Sequence, residues 1–206
     1  MLTSLPNLLT VSRILLIPLI VGMFWIEGNA ARWITLGLFV AAGVTDYLDG
    51  MAARSMGEIS SLGKFLDPVA DKLLVSAILM MLVAFDDIRG LAILPALVIL
   101  CREILVSGLR EFLAGIKVGV PVSKLAKWKT AVQMTALGVL IVGNAGPTLM
   151  GGKLTSVTIG ETLLWIAALL TIVTGYDYMR AGLRHMGEAD GPAKVEAVRR
   201  NAPSGS

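Results

Sequence analysis

The chain has 206 residues, 55% of them hydrophobic and 16% charged, with a mean hydropathy of +0.77. This balance excludes an ordinary soluble domain and puts an integral membrane protein first. The net charge of +3 does not point to nucleic acid, because the basic residues sit in short breaks between apolar runs, where membrane topology and anionic lipid account for them.

A membrane-crossing helix needs about 20 mostly apolar residues. Six runs meet or approach that length, over residues 8–26, 32–54, 61–85, 90–112, 125–146 and 156–182. They predict one all-α catalytic domain over residues 1–186 with six transmembrane helices. Residues 1–12 hold no Lys or Arg and no convincing cleavage site follows, so the first run is expected to be a retained helix. Trp25 and Trp33 flank the first break and read as interfacial anchors, and Trp165 as a lipid-facing or packing residue. Arg32, Arg89 and Lys153 fall in the breaks after the first, third and fifth runs, while the other basic residues gather at the opposite ends. That asymmetry places both termini in the cytoplasm. Cys101 lies in the fourth run; as the only cysteine it forms no intrachain disulfide and is expected to be a buried thiol. His185 reads as interfacial. The polar stretch 187–206 is expected to be a disordered cytoplasmic tail.

The second and third runs carry four carboxylates, Asp46, Asp49, Asp67 and Asp71. One charged Asp inside a bilayer helix costs about 3 kcal/mol on insertion scales. Four of them need a compensating partner, and a hard divalent cation suits an all-oxygen ligand set. Asp46, Asp49 and Ala53 share one helix face, as do Gly63, Asp67 and Asp71. Gly50, Ala53 and Gly63 are small and leave room for a bulky ligand, while Arg54 suits a phosphate or an aspartate. Pro68 either opens a helix capped by Asp67 or interrupts one that starts near Ser61. The second alternative keeps Gly63 in register with both aspartates and is the one expected. Simple pairing with Arg54, Lys64 and Lys72 accounts for one aspartate but poorly for four. A divalent-cation transporter is the rival from another class, since it too carries intramembrane carboxylates. Against it, the acidic cluster lies near one membrane face and has no counterpart in the second half of the chain.

The run Asp46-x2-Asp49-Gly50-x2-Ala53-Arg54-x8-Gly63-x3-Asp67-x3-Asp71 resembles the pattern of the CDP-alcohol phosphotransferases and matches it without departure. Pro6-Asn7-Leu8-Leu9-Thr10 with Arg13 and Pro18, Arg102-Glu103-Ile104, Leu109-Arg110-Glu111 and Lys127-Trp128-Lys129-Thr130 are similar to the bacterial members that form phosphatidylglycerophosphate. The resemblance implies a six-helix fold, a homodimer in the bacterial inner membrane and a cavity open to the cytoplasm. It implies two divalent ions, Mg²⁺ or Mn²⁺, on Asp46, Asp49, Asp67 and Asp71, with Asp71 also the catalytic general base. Gly50, Arg54 and Ser60 would contact the CDP moiety, with Asn7 and Thr10 near the nucleotide. The implied reaction moves the phosphatidyl group of CDP-diacylglycerol to sn-glycerol 3-phosphate and releases CMP. A phosphorylated acceptor needs fixed positive charge, and Arg110, Lys127, Lys129 and Arg102 are the candidates. By helical spacing Lys127 shares a face with Lys124, whereas Lys129 is expected to point elsewhere. Inositol phosphate, serine or a second phosphatidylglycerol remain alternative acceptors.

Overall fold

The computed structural model describes residues 5–56, 61–115, 124–148 and 154–189. These residues form six α-helices: α1 (Leu5–Met23), α2 (Asn29–Met56), α3 (Ser61–Ala84), α4 (Ile93–Gly115), α5 (Lys124–Val142) and α6 (Ser156–Ala189). Short 3-10 turns, Gly90–Ala92 and Gly143–Ala145, precede α4 and follow α5. Among the described residues there is no strand.

Helix ends differ from the apolar runs for local reasons. Phe24, Trp25 and Ile26 donate backbone hydrogen bonds to Val21, Gly22 and Met23, so the end of α1 tightens into turns instead of continuing as α-helix. At the other extreme, α6 runs on through polar residues to Ala189, and positions 187–189 belong to it and not to a tail. The rest of the expected tail, 190–206, lies outside the described residues. Helix α3 starts at Ser61 and continues through Pro68, as the register of Asp67 and Asp71 requires.

The bundle is apolar at its centre and apolar on its outside. Ile20, Phe39, Ile78, Leu82, Ile99, Leu137, Leu140 and Leu164 form a buried core drawn from all six helices. Leu19, Val40, Met80, Leu97, Leu105 and Ile172 are exposed on α1, α2, α3, α4 and α6. An aqueous protein rarely leaves so much apolar surface open; a lipid environment makes it favourable. Helices α4, α5 and α6 are long and apolar enough to cross a bilayer, and α1 contributes a shorter apolar segment, Thr10–Met23. The protein is thus an all-α membrane protein. Cys101, expected to be buried, is exposed on α4 among the exposed apolar side chains Leu97, Ile104 and Leu105. Trp25 is likewise exposed and packs edge-on against Phe85 at 5.2 Å.

Helix α1 packs against both α2 and α3, and α6 packs against both α4 and α5. Each helix places a charged or polar residue on one side of its core residue. Arg13 precedes Ile20, Asp46 follows Phe39, Asp71 precedes Ile78, Arg102 follows Ile99, Lys129 precedes Leu137 and Thr174 follows Leu164. Because successive helices alternate in direction, these residues collect at one end of the bundle.

Candidate active site

A cleft of about 700 Å³ opens at that end between α3, α4, α5 and α6. Asp71 and Lys72 enter it from α3, Arg102, Glu103 and Arg110 from α4, Lys127 and Lys129 from α5, and Tyr178 from α6. The candidate base Asp71 and all four candidate acceptor-phosphate residues therefore line one space. Among the described residues five cationic side chains meet two carboxylates there, an imbalance that favours an anionic ligand.

Lys129 departs from the helical-wheel expectation. It lines the cleft together with Lys127 instead of pointing elsewhere. The two differ in depth: Lys129 is only 3% exposed, whereas Lys127 is open to solvent. A long lysine stem lets the ammonium curve toward a polar space that its Cβ direction does not face.

The floor of the cleft is a charge network across three helices. Glu103 accepts from Lys129 Nζ and lies 3.4 Å from Arg102 Nη1. Arg102 Nη2 donates to Thr174 Oγ1 at 3.0 Å. Gly175 makes this possible, since a Cβ there would stand 3.1 Å from Arg102 Cγ. Lys72 Nζ donates to the Pro68 carbonyl at 3.3 Å, which turns the lysine back along α3 beside Asp71.

The nucleotide side is only partly described. Asp46 pairs with Arg13, a buried side chain of α1, and keeps 48% of its own side chain exposed. Asn7, Asp49, Gly50, Arg54 and Asp67 lie in α1, α2 and α3, but their side chains are outside the described residues, as is the whole of Ser60. Thr10 is buried within the bundle and does not line the cleft. Among the described residues no group of three or more acidic, histidine or cysteine side chains converges. Of the four candidate ligands, the two whose side chains are described, Asp46 and Asp71, nonetheless fit a hard cation: both are carboxylates at the polar end of the bundle, and both keep some solvent access.

Two participants, Arg13 and Tyr178, had no role assigned from the sequence, and Glu103 was expected only as one possible pairing partner of Arg102, a pairing the structure contains. Arg13 was noticed only for its place in a resemblance. The contact of Glu103 with Lys129 was not foreseen, although Glu103 carries the same signal as the aspartates, an acid within an apolar helix. Tyr178 gave no signal, being one aromatic among apolar neighbours.

An all-helical membrane bundle with a cation-rich cleft built around an aspartate is the frame of a membrane enzyme that handles phosphorylated substrates. The sequence model of CDP-alcohol phosphatidyltransferase matches residues 3–173, and the chain belongs to that family. A protein of Rickettsia typhi named CDP-diacylglycerol–glycerol-3-phosphate 3-phosphatidyltransferase is 50% identical over 178 residues, covering 86% of this chain and 96% of the relative. A protein of the same name from Cereibacter sphaeroides is 37% identical over 214 residues, covering 89% and 97%. A CMP-forming cardiolipin synthase of Oryza sativa is 41% identical over 190 residues, covering 87% of this chain and 57% of the relative.

Proposed function

We propose that the protein transfers the phosphatidyl group of CDP-diacylglycerol to sn-glycerol 3-phosphate, forming phosphatidylglycerophosphate and CMP in phospholipid synthesis. The observation that carries the acceptor is the cleft itself, where Arg102, Arg110, Lys127 and Lys129 surround a space that Asp71 also borders. Guanidinium and ammonium donors are suited to a phosphate dianion. The 50% identity to a relative named for this reaction supports the same reading.

The acceptor hydroxyl attacks the phosphorus that bears diacylglycerol. A new P–O bond forms, the bond from that phosphorus to the bridging oxygen of the pyrophosphate breaks, and CMP departs. Asp71 receives the hydroxyl proton as attack proceeds. The cleft cations hold the acceptor by its phosphate, so the free hydroxyl is presented and not searched for. Two divalent ions, Mg²⁺ or Mn²⁺, held by Asp46, Asp49, Asp67 and Asp71, would supply charge neutralisation at the pyrophosphate and the departing CMP. Arg13, by pairing with Asp46, holds that carboxylate in place. Gly50, Arg54 and Ser60, with Asn7 and Thr10 nearby, are assigned to the CDP moiety.

At 28 and 24 residues α2 and α3 extend for roughly 42 and 36 Å, enough to span a bilayer despite their aspartates. Six spans, cytoplasmic termini and a cytoplasmic cleft in a bacterial inner membrane belong to the same proposal, as does a homodimer.

The test is CMP release by the purified protein with CDP-diacylglycerol and Mg²⁺ or Mn²⁺, across glycerol 3-phosphate, inositol phosphate, serine and phosphatidylglycerol. Release is expected with glycerol 3-phosphate and little with the others. Release that does not depend on the acceptor overturns the assignment.

A further inference from the structure

Among the described residues that line the cleft, Glu103 is the one carboxylate that the reaction leaves without a task. It stands on α4 with its side chain 13% exposed and touches two cations, Lys129 of α5 and Arg102 of its own helix. Lys129 is deeply buried, and an ammonium taken out of water persists only with a matched counter-charge. Glu103 is that counter-charge. It also sets direction. Arg102 is held between Glu103 and Thr174, so α4, α5 and α6 meet through one carboxylate and one guanidinium. Neither cation is used up by these contacts. Lysine has three donors and arginine five, and both residues line the cleft. Without Glu103, two like charges would face each other across α4 and α5 with nothing between them.

We propose that Glu103 is the positioning residue of the acceptor-phosphate site, fixing Lys129 and Arg102 so that their remaining N–H donors converge on the phosphate of the acceptor alcohol. This rests on the reading of the cleft as the glycerol 3-phosphate site. Glu103 acts through the two cations and does not touch the reacting atoms.

The experiment compares wild type, Glu103→Gln, Lys129→Met and the double variant, each full-length in detergent, by CMP release with CDP-diacylglycerol and a divalent cation. Glu103→Gln keeps the shape and removes the charge. It is expected to raise KM for glycerol 3-phosphate about 10-fold or more while KM for CDP-diacylglycerol stays within about twofold. Lys129→Met is expected to do the same, and the double variant to fall clearly short of the product of the two single effects, because part of the action of Glu103 runs through Lys129 and the rest through Arg102. Glu103→Asp, which restores charge at shorter reach, should recover part of the loss and serves if Glu103→Gln fails to fold. An unchanged KM for glycerol 3-phosphate in Glu103→Gln overturns the proposal. So does a rise shared equally by both substrates, or multiplicative effects in the double variant. If wild type itself shows no dependence on glycerol 3-phosphate, the proposed function falls; if wild type shows it and Glu103 is indifferent, only this inference falls.

Discussion

Arg102 shows how closely charge and space are matched in the cleft. Its stem lies against Gly175, where an added Cβ would approach Cγ to 3.1 Å and Nε to 3.4 Å. A single methyl can be absorbed by a small shift of a flexible side chain, but a branched one cannot. Gly175→Val is therefore expected to push Arg102 off Thr174 and raise KM for glycerol 3-phosphate about 10-fold, with Gly175→Ala close to wild type; steady-state kinetics on both variants decides this. Asp71→Asn keeps size and loses the proton acceptor, and is expected to lower kcat by about 10²–10⁴ with an unchanged melting profile. The aspartates were legible in the sequence because a charge in an apolar run costs energy and asks for a reason. The depth of Lys129 was not, because helical spacing gives the direction of Cβ and says nothing about where four methylenes carry the ammonium. The burial of Thr10 was equally hidden, since small hydroxyl residues suit a helix interface as well as a ligand.

Between elements, the end of the bundle away from the cleft has its own fastening. Arg32 at the start of α2 donates to Asp87 in the α3–α4 connection at 2.5 Å and reaches the Ile141 carbonyl near the end of α5 at 3.3 Å. Asp87 is 7% exposed, so removing Arg32 leaves a buried carboxylate without its partner. Because Arg32 itself remains a third exposed, the expected loss for Arg32→Ala is about 2 kcal/mol, less than for a fully buried pair. Thermal unfolding in detergent measures it, and CMP release below the transition should be unaffected, since the pair lies at the far end from Asp71. The α5–α6 crossing is tighter still: a Cβ on Gly160 would fall 2.6 Å from Leu140 Cγ. Gly160→Leu is expected to separate the two helices and cost about 1–3 kcal/mol by the same measurement. From sequence, Arg32 looked like a topology charge, and its partner fifty-five residues away had no local mark. The helices themselves were legible because apolar length alone demands them. Their ends were not, because α1 stops where backbone bonding tightens and α6 continues through polar residues to Ala189.

For the whole molecule, the arrangement of charge predicts orientation. Among the described residues, the cleft end carries Arg13, Lys72, Arg102, Arg110, Lys127 and Lys129 beside Asp46, Asp71 and Glu103, whereas the other end carries only the basic residues Arg32 and Arg89, beside Glu27, Asp86 and Asp87. Basic residues near helix ends are retained on the cytoplasmic side, so the cleft should open there, on the side where a soluble phosphorylated acceptor is found. The fold supplies a clean test because the only native cysteine, Cys101, sits on the lipid-facing surface of α4 and can be replaced by serine. Single cysteines are then placed at Glu27 and Arg89, both exposed at the end away from the cleft, and at Lys127 in the cleft mouth. In intact cells a membrane-impermeant maleimide is expected to label Glu27→Cys and Arg89→Cys and to spare Lys127→Cys until the membrane is opened. Labelling of Lys127→Cys in intact cells would invert the bundle and turn the site away from its acceptor. Labelling of Glu27→Cys without Arg89→Cys would instead remove one crossing between them, and with it the antiparallel order of α2 and α3 that brings Asp46 and Asp71 to the same end.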